Sequence, residues 1–182
     1  MRGVAVEEAQ IIIIRRDRSE HVIPHDLGPD VRNLLGRALL PREALIGEEG
    51  KGFSYLLSSL NAERILVGSE SVGDGRWFVE YAVKYANERR VFDRPIGMNQ
   101  GVQFPIAKAH VAVEAASLMR FKAAALFDAG LPCGAEANMT KYLASEAAWE
   151  AGEAAMNTLG GYGFAKEYHV ERKWREARLY RD

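Results

Sequence analysis

Phe53, Leu56, Leu57 and Leu60 stand at i, i+3, i+4 and i+7, which puts four apolar side chains on one face of a helix. The spacing predicts a long helix over about Phe53–Arg89, stopped by the charged Asp93-Arg94-Pro95-Ile96-Gly97 turn. Gly68, Gly73 and Gly75 lie inside it, each costing about 1 kcal/mol of helix propensity relative to alanine. Close contact with a neighbouring helix is the expected reason for them. A second helix follows Asn99, an acceptable N-cap, and ends at Asp128-Ala129-Gly130 before Pro132, with Pro105 past its first turn. A third, alanine-rich helix runs from about Ala135 to Leu159 and is closed by Gly160-Gly161, and a fourth begins near Val170. Three long helices joined by short turns, with the beginning of another, predict a mainly α fold: an antiparallel up-down bundle whose last helix is truncated at the chain end.

The first forty residues read differently. Ile11–Ile14 suits a strand and 31–40 a weak helix around Gly36, but the stretch between them holds no sustained period. The expected division is therefore an irregular or β N-terminal segment over 1–40, compatible with a remnant of a β domain, and a helical bundle over 41–182.

Charge and cysteine usage exclude several functions. With 24 Lys plus Arg against 25 Asp plus Glu, the net charge of -1 gives no basic excess for a polyanion, so no nucleic-acid partner is expected. No apolar run approaches the roughly 20 residues of a membrane span, and Met1–Gln10, with Glu7 and Glu8, lacks a targeting pattern. Cys133 is the only cysteine, so no internal disulfide forms, and without a basic neighbour close in sequence it reads as a small packing residue. His21, His25, His110 and His169 are dispersed, and Pro24 spoils the one helical pair, so no metal site is expected.

Other segments admit two readings from residues alone. Gly160-Gly161-Tyr162-Gly163-Phe164 lacks the spacing of a dinucleotide fingerprint and suits a helix C-cap, yet a glycine run also lets backbone amides approach a phosphate or an adenosine. Arg89 and Arg90 complement a helix C-terminus, and a guanidinium is equally the preferred grip on a pyrophosphate. Gln100 offers an amide that both donates and accepts. Glu63, between Leu60 and Ile65, is either an ion-paired surface residue with Arg64 or Lys51 as partner, or a general base facing an apolar cleft.

Taken in order, the segments PREALIGEEGKGF from Pro41, Leu60-Asn61-Ala62-Glu63-Arg64, Ala86 to Phe92, Arg94 to Gln100, Asn157 to Phe164 and Glu171 to Tyr180 resemble the C-terminal helical domain of the acyl-CoA dehydrogenases. The resemblance implies FAD-dependent α,β-dehydrogenation of an acyl-CoA thioester, with electrons passed to an electron-transferring flavoprotein, by a homo-oligomer (dimer or tetramer). It further implies that Arg89 and Gln100 hold the FAD pyrophosphate of a neighbouring subunit with Phe92 beside them. Asn157, Gly160 and Gly161 match the Gln-x-x-Gly-Gly motif on the adenosine half, with Asn in place of the usual Gln. Glu63 falls at the helix position of the catalytic base used in the isovaleryl-CoA dehydrogenase branch, and Asn61 and Arg64 fall where the family contacts substrate. The implied location is the cytoplasm, or the mitochondrial matrix in a eukaryote. Residues 1–40 do not match the family's N-terminal or β domains. Two other readings therefore stand beside this one: a non-catalytic helical scaffold that self-associates or docks on a full-length relative, and a related acyl-CoA oxidase, distinguished by electron transfer to oxygen.

Overall fold

The computed structural model describes residues 45–181, in two compact units, Met1–Ser58 and Ser59–Asp182. The strand expected at Ile11–Ile14, the helix at 31–40 and the His21/His25 pair lie outside the described residues. Within the first unit, Gly47 and Gly50 adopt φ of 79° and 78°. A side chain at Gly47 would collide with the Tyr55 ring. Lys51 pairs with Glu48 at 2.6 Å.

Four helices carry the chain: α1 (Gly52–Glu88), α2 (Gln100–Asp128), α3 (Gly134–Leu159) and α4 (Val170–Arg181). The expected helices thus form within a residue or so of their predicted ends, as an antiparallel bundle, and α2 continues unbroken through Pro105. Between α1 and α2 the predicted turn is a small hairpin, β1 (Arg90–Val91) and β2 (Arg94–Pro95), with Arg90 opposite Pro95 and Val91 opposite Arg94. Phe92 and Asp93 make its two-residue turn at φ of 51° and 64°, the type I′ geometry that glycine and asparagine usually occupy. Sequence reasoning missed the hairpin because neither turn residue carries that signature.

The core explains the glycines. Phe78, Val72, Val113 and Val170 fill it, and the remaining positions are largely alanine, among them Ala82, Ala109, Ala144, Ala151 and Ala155. A Cβ at Gly75 would stand 2.6 Å from Val113 Cγ2, and one at Gly68 would stand 2.6 Å from Thr140 Cγ2. Both are sites of close helix contact, as expected. Gly73 is different: nothing lies within 4 Å of its Cβ position, so packing is not its reason.

One polar contact is built into this interior. Asp74 on α1 is 6% exposed and pairs with Lys173 of α4, Oδ1 to Nζ, at 2.8 Å, while Asp74 Oδ2 is buried without a hydrogen-bond partner. Burial pushes the Asp74 carboxyl above its ordinary range despite the Lys173 bond. A carboxyl raised in this way favours the fold at low pH and loses that contribution as pH rises through its folded value. Lys173→Met leaves the charge uncompensated and should cost about 3 kcal/mol at pH 7, with the loss shrinking as Asp74 protonates in acid. Urea unfolding of the variant at pH 7 and pH 5 measures this; an equal loss at both would show that Asp74 is not the cause.

Candidate functional site

The family-like residues fall in two groups, one at the C-terminal end of α1 and one within its first third. At one end, Arg89 follows the last helical residue, its N–H donating to the Tyr85 carbonyl at 2.8 Å and its carbonyl accepting from Ile96 N–H at 2.9 Å. Its guanidinium lies over the Tyr162 ring at 5.6 Å. Tyr162 packs on Tyr168 at 5.3 Å, and Tyr168 meets Tyr85 edge-on at 6.1 Å. Burial pushes the Tyr85 phenol up, so it serves as a neutral aromatic wall. Arg89 is thereby joined to the Gly160–Gly161 turn by a contact that sequence reasoning did not foresee, because rings 70 or more positions away cannot be read from local spacing. The two arginines also separate: Arg90 donates to the Asp93 carbonyl at 3.1 Å and holds the hairpin turn, whereas the Arg89 fork rests on a ring face.

Beside Arg89, Phe92 is 94% exposed in the left-handed region. An aromatic side chain there gains almost no burial among the described residues and bears the steric cost of positive φ, roughly 1 kcal/mol or more. Gln100 is the first residue of α2 and is exposed. Asn99 occupies the expected N-cap position, but its side chain turns away from the helix: Nδ2 donates to the Ile96 carbonyl at 3.0 Å and Oδ1 accepts from Arg94 at 2.8 Å. No side chain caps α2, and no acidic residue sits in its first turn. Its leading amides therefore suit an approaching anion.

Gly160 closes α3 at φ 58°, as its C-cap role requires, and a 3₁₀ turn runs over Gly160–Phe164. Gly161 has no positive φ, and nothing lies within 4 Å of its Cβ position. Neither backbone nor packing among the described residues demands glycine there. Asn157 and Gly160 line a cleft of about 240 Å³ with Glu153, Met156, Phe164 and Trp174. The Trp174 indole N–H donates to Glu153 Oε1 at 2.8 Å and fixes one wall. The sequence offered no signal for that wall, since Trp174 reaches it from another helix.

Within the first third of α1, Asn61, Glu63 and Arg64 occupy one stretch. Arg64 Nη1 donates to Asn61 Oδ1 at 3.3 Å, and the Asn61 amide lies 3.8 Å from the Cβ position of Gly134 at the start of α3. Glu63 is exposed. Its two expected partners are engaged elsewhere, Arg64 with Asn61 and Lys51 with Glu48. From Glu63 to the end of α1 is roughly 38 Å at ~1.5 Å per residue, so Glu63 and Arg89 of one chain do not meet at a common point. Cys133 is buried, as its packing role requires, and Lys122 pairs with Glu136 at 3.1 Å. Among the described residues no cluster of three or more His, Cys, Asp or Glu could hold a metal, and no helix is long and apolar enough to cross a membrane.

Residues 50–181 match the family model of the acyl-CoA dehydrogenase C-terminal domain. The chain belongs to the acyl-CoA dehydrogenase family. It is 44% identical over 144 residues to the acyl-CoA dehydrogenase fadE12 of Mycobacterium bovis, covering 78% of this chain and 37% of that protein. It is 39% identical over 141 residues to the caffeyl-CoA reductase-Etf complex subunit CarC of Acetobacterium woodii, covering 78% and 37%. The solved glutaryl-coenzyme A dehydrogenase in complex with glutaryl-CoA superposes with a TM-score of 0.72 at 41% identity, over 78% of this chain and 36% of that one. The chain thus spans little more than a third of the length of these relatives.

Because open space lies beyond Gly161, Gly161→Val should change folding stability by no more than about 0.5 kcal/mol. Thermal unfolding of the variant checks this, and a loss above 2 kcal/mol would place the reason for the glycine inside the fold.

Proposed function

We propose that this chain is the C-terminal helical portion of an FAD-dependent acyl-CoA dehydrogenase, which desaturates an acyl-CoA thioester and delivers the electrons to an electron-transferring flavoprotein. The observation that carries this reading is Gly161, a glycine with no internal reason to be one, beside an arginine laid on Tyr162. A bare backbone lets a nucleotide lie directly against the turn, and a guanidinium next to it neutralises a pyrophosphate.

The fit to FAD extends to the neighbouring positions. Arg89 and the uncapped amides of α2 supply positive potential, and Gln100 supplies an amide at the same helix start. Phe92 offers an exposed ring for a flat ligand or an adjoining chain. Gly160 and Gly161 face the adenosine half, where Asn157 reaches less far than a glutamine. When bound, FAD supplies the acceptor for the hydride that leaves the β carbon.

The chain's own acid–base group is Glu63, whose carboxylate takes the proton from the carbon next to the thioester carbonyl. Asn61 and Arg64 position the substrate around it. Since Glu63 lies roughly 38 Å along α1 from the Arg89 end, Glu63 of one chain works with a flavin gripped by Arg89 of another in this reading, which makes a homo-oligomer part of it. Glu63 is exposed in the single chain, so exclusion of water from it comes with the acyl substrate and the surrounding subunits. That same exposure favours a second reading, a non-catalytic helical scaffold that docks on a full-length relative.

The purified protein incubated with FAD should retain the flavin visible bands through gel filtration, and Arg89→Ala should weaken retention at least about tenfold. Glu63→Gln should keep the flavin and lower acyl-CoA turnover by about 10³-fold, assayed with an electron-transferring flavoprotein or a dye acceptor. Absence of flavin at high FAD concentration would favour the scaffold, and unchanged turnover in Glu63→Gln would remove Glu63 as the base.

A further inference from the structure

Tyr85 and Arg89 stand four residues apart where α1 ends, and the Arg89 N–H completes a helical bond to the Tyr85 carbonyl, so the two side chains leave on the same side. A set of rings joins them from outside the helix. Tyr168 meets the Tyr85 ring edge-on, Tyr162 packs on Tyr168, and the Arg89 guanidinium closes the circuit 5.6 Å above the Tyr162 ring.

The backbone under Tyr162 is held by contacts of its own. Its carbonyl accepts from the Ala165 N–H at 3.1 Å, and the Ala165 carbonyl accepts from the Tyr168 N–H at 3.1 Å, so both rings project from one hydrogen-bonded run. Gly163 is buried, with the Met156 carbonyl 3.1 Å from its Cβ position, which seats this turn on the end of α3. Among the described residues neither the Tyr162 hydroxyl nor the Arg89 guanidinium enters a hydrogen bond or an ion pair; the contact between them is ring face on cation. With one flat face of the guanidinium on the ring, its edge, which carries all five N–H donors, is left for an anion.

We infer that Tyr162 is a positioning residue for the cofactor grip: it holds the Arg89 guanidinium flat and aimed beside the Gly160–Gly161 turn before the ligand arrives, so that a pyrophosphate meets donors already in order. This rests on the FAD reading above and adds to it a side chain that acts through Arg89. A free arginine samples many rotamers, and a ligand that must order them binds more weakly than one that finds them ordered. A ring suits this task better than an acid. A carboxylate in its place would also hold Arg89 but would neutralise the charge that the pyrophosphate needs, whereas the quadrupole of a ring leaves that charge in place. One turn then serves both halves of the nucleotide, through the bare backbone of Gly161 and through the residue that follows it.

Equilibrium dialysis against FAD tests it, with circular dichroism confirming that each variant is folded. Tyr162→Leu and Tyr162→Gln remove the ring from a side chain that is 46% exposed, and each should weaken FAD binding about fivefold, less than Arg89→Ala because the guanidinium remains. Tyr162→Phe keeps the ring and should bind FAD within about twofold of the parent. Once Arg89 is alanine, Tyr162→Leu should add no further loss, since nothing is left to position. A turn that merely collapsed would lose its glycine contacts too and weaken binding in either background. A parent that binds no FAD would overturn both the flavin reading and this role. With FAD bound by the parent, three results would each overturn the role of Tyr162 alone: ring-less variants as tight as the parent, a Tyr162→Phe as weak as Tyr162→Leu, or a loss that persists undiminished beside Arg89→Ala.

Discussion

At Gly75, α1 comes so near its neighbours that an added Cβ would stand 2.6 Å from Val113 Cγ2 and 3.5 Å from the Ala148 Cα. Gly68 makes a similar approach to Thr140, and Gly152 to Trp174 and Phe78, at 3.1 and 3.4 Å. These contacts set the spacing of the helices. Because the helices lie so close, alanine fills most of the core and only a few large side chains, Phe78 foremost, are needed to complete it. The glycines that weaken each helix in isolation are therefore the residues that let the helices dock. The loss in helix propensity is offset by dispersion contacts along the whole interface.

That spacing positions the ends of the bundle, where the candidate chemistry lies. With α3 held against α1, the turn after Leu159 falls beside the residue after Glu88, and Tyr162 comes under the Arg89 guanidinium. The hairpin between α1 and α2 is kept in shape by Arg90 on the Asp93 carbonyl and by Asn99 on the Ile96 carbonyl. This leaves Phe92 projecting outward and the start of α2 without a side-chain cap. Phe92 and Gly161 thus make no close packing contact among the described residues.

The helices were legible because apolar spacing, glycine and proline are local signals. Gly130 and Pro132 end α2, and Gly160 ends α3, for reasons a few residues long. The hairpin was not legible, because Phe92-Asp93 takes a turn geometry that is supported only by contacts across the loop. The roles of Arg89 and Arg90 could not be divided from sequence either. Adjacent and chemically alike, they differ only in what the fold sets in front of them, a ring in one case and a backbone carbonyl in the other.

The sequence by itself determined the helix content, the order of the helices and, through its ordered motifs, the family. Each of these depends on composition or on contacts between near neighbours. Only the tertiary structure decided that Gly68 and Gly75 are contact points while Gly73 is not, and that Asp74 is buried with Lys173 rather than solvated. It also decided that the apolar stripe of Phe104, Val111 and Leu118 faces outward. Those facts rest on which faces of distant segments meet. A helical period reveals that a face exists, and only packing reveals what lies against it.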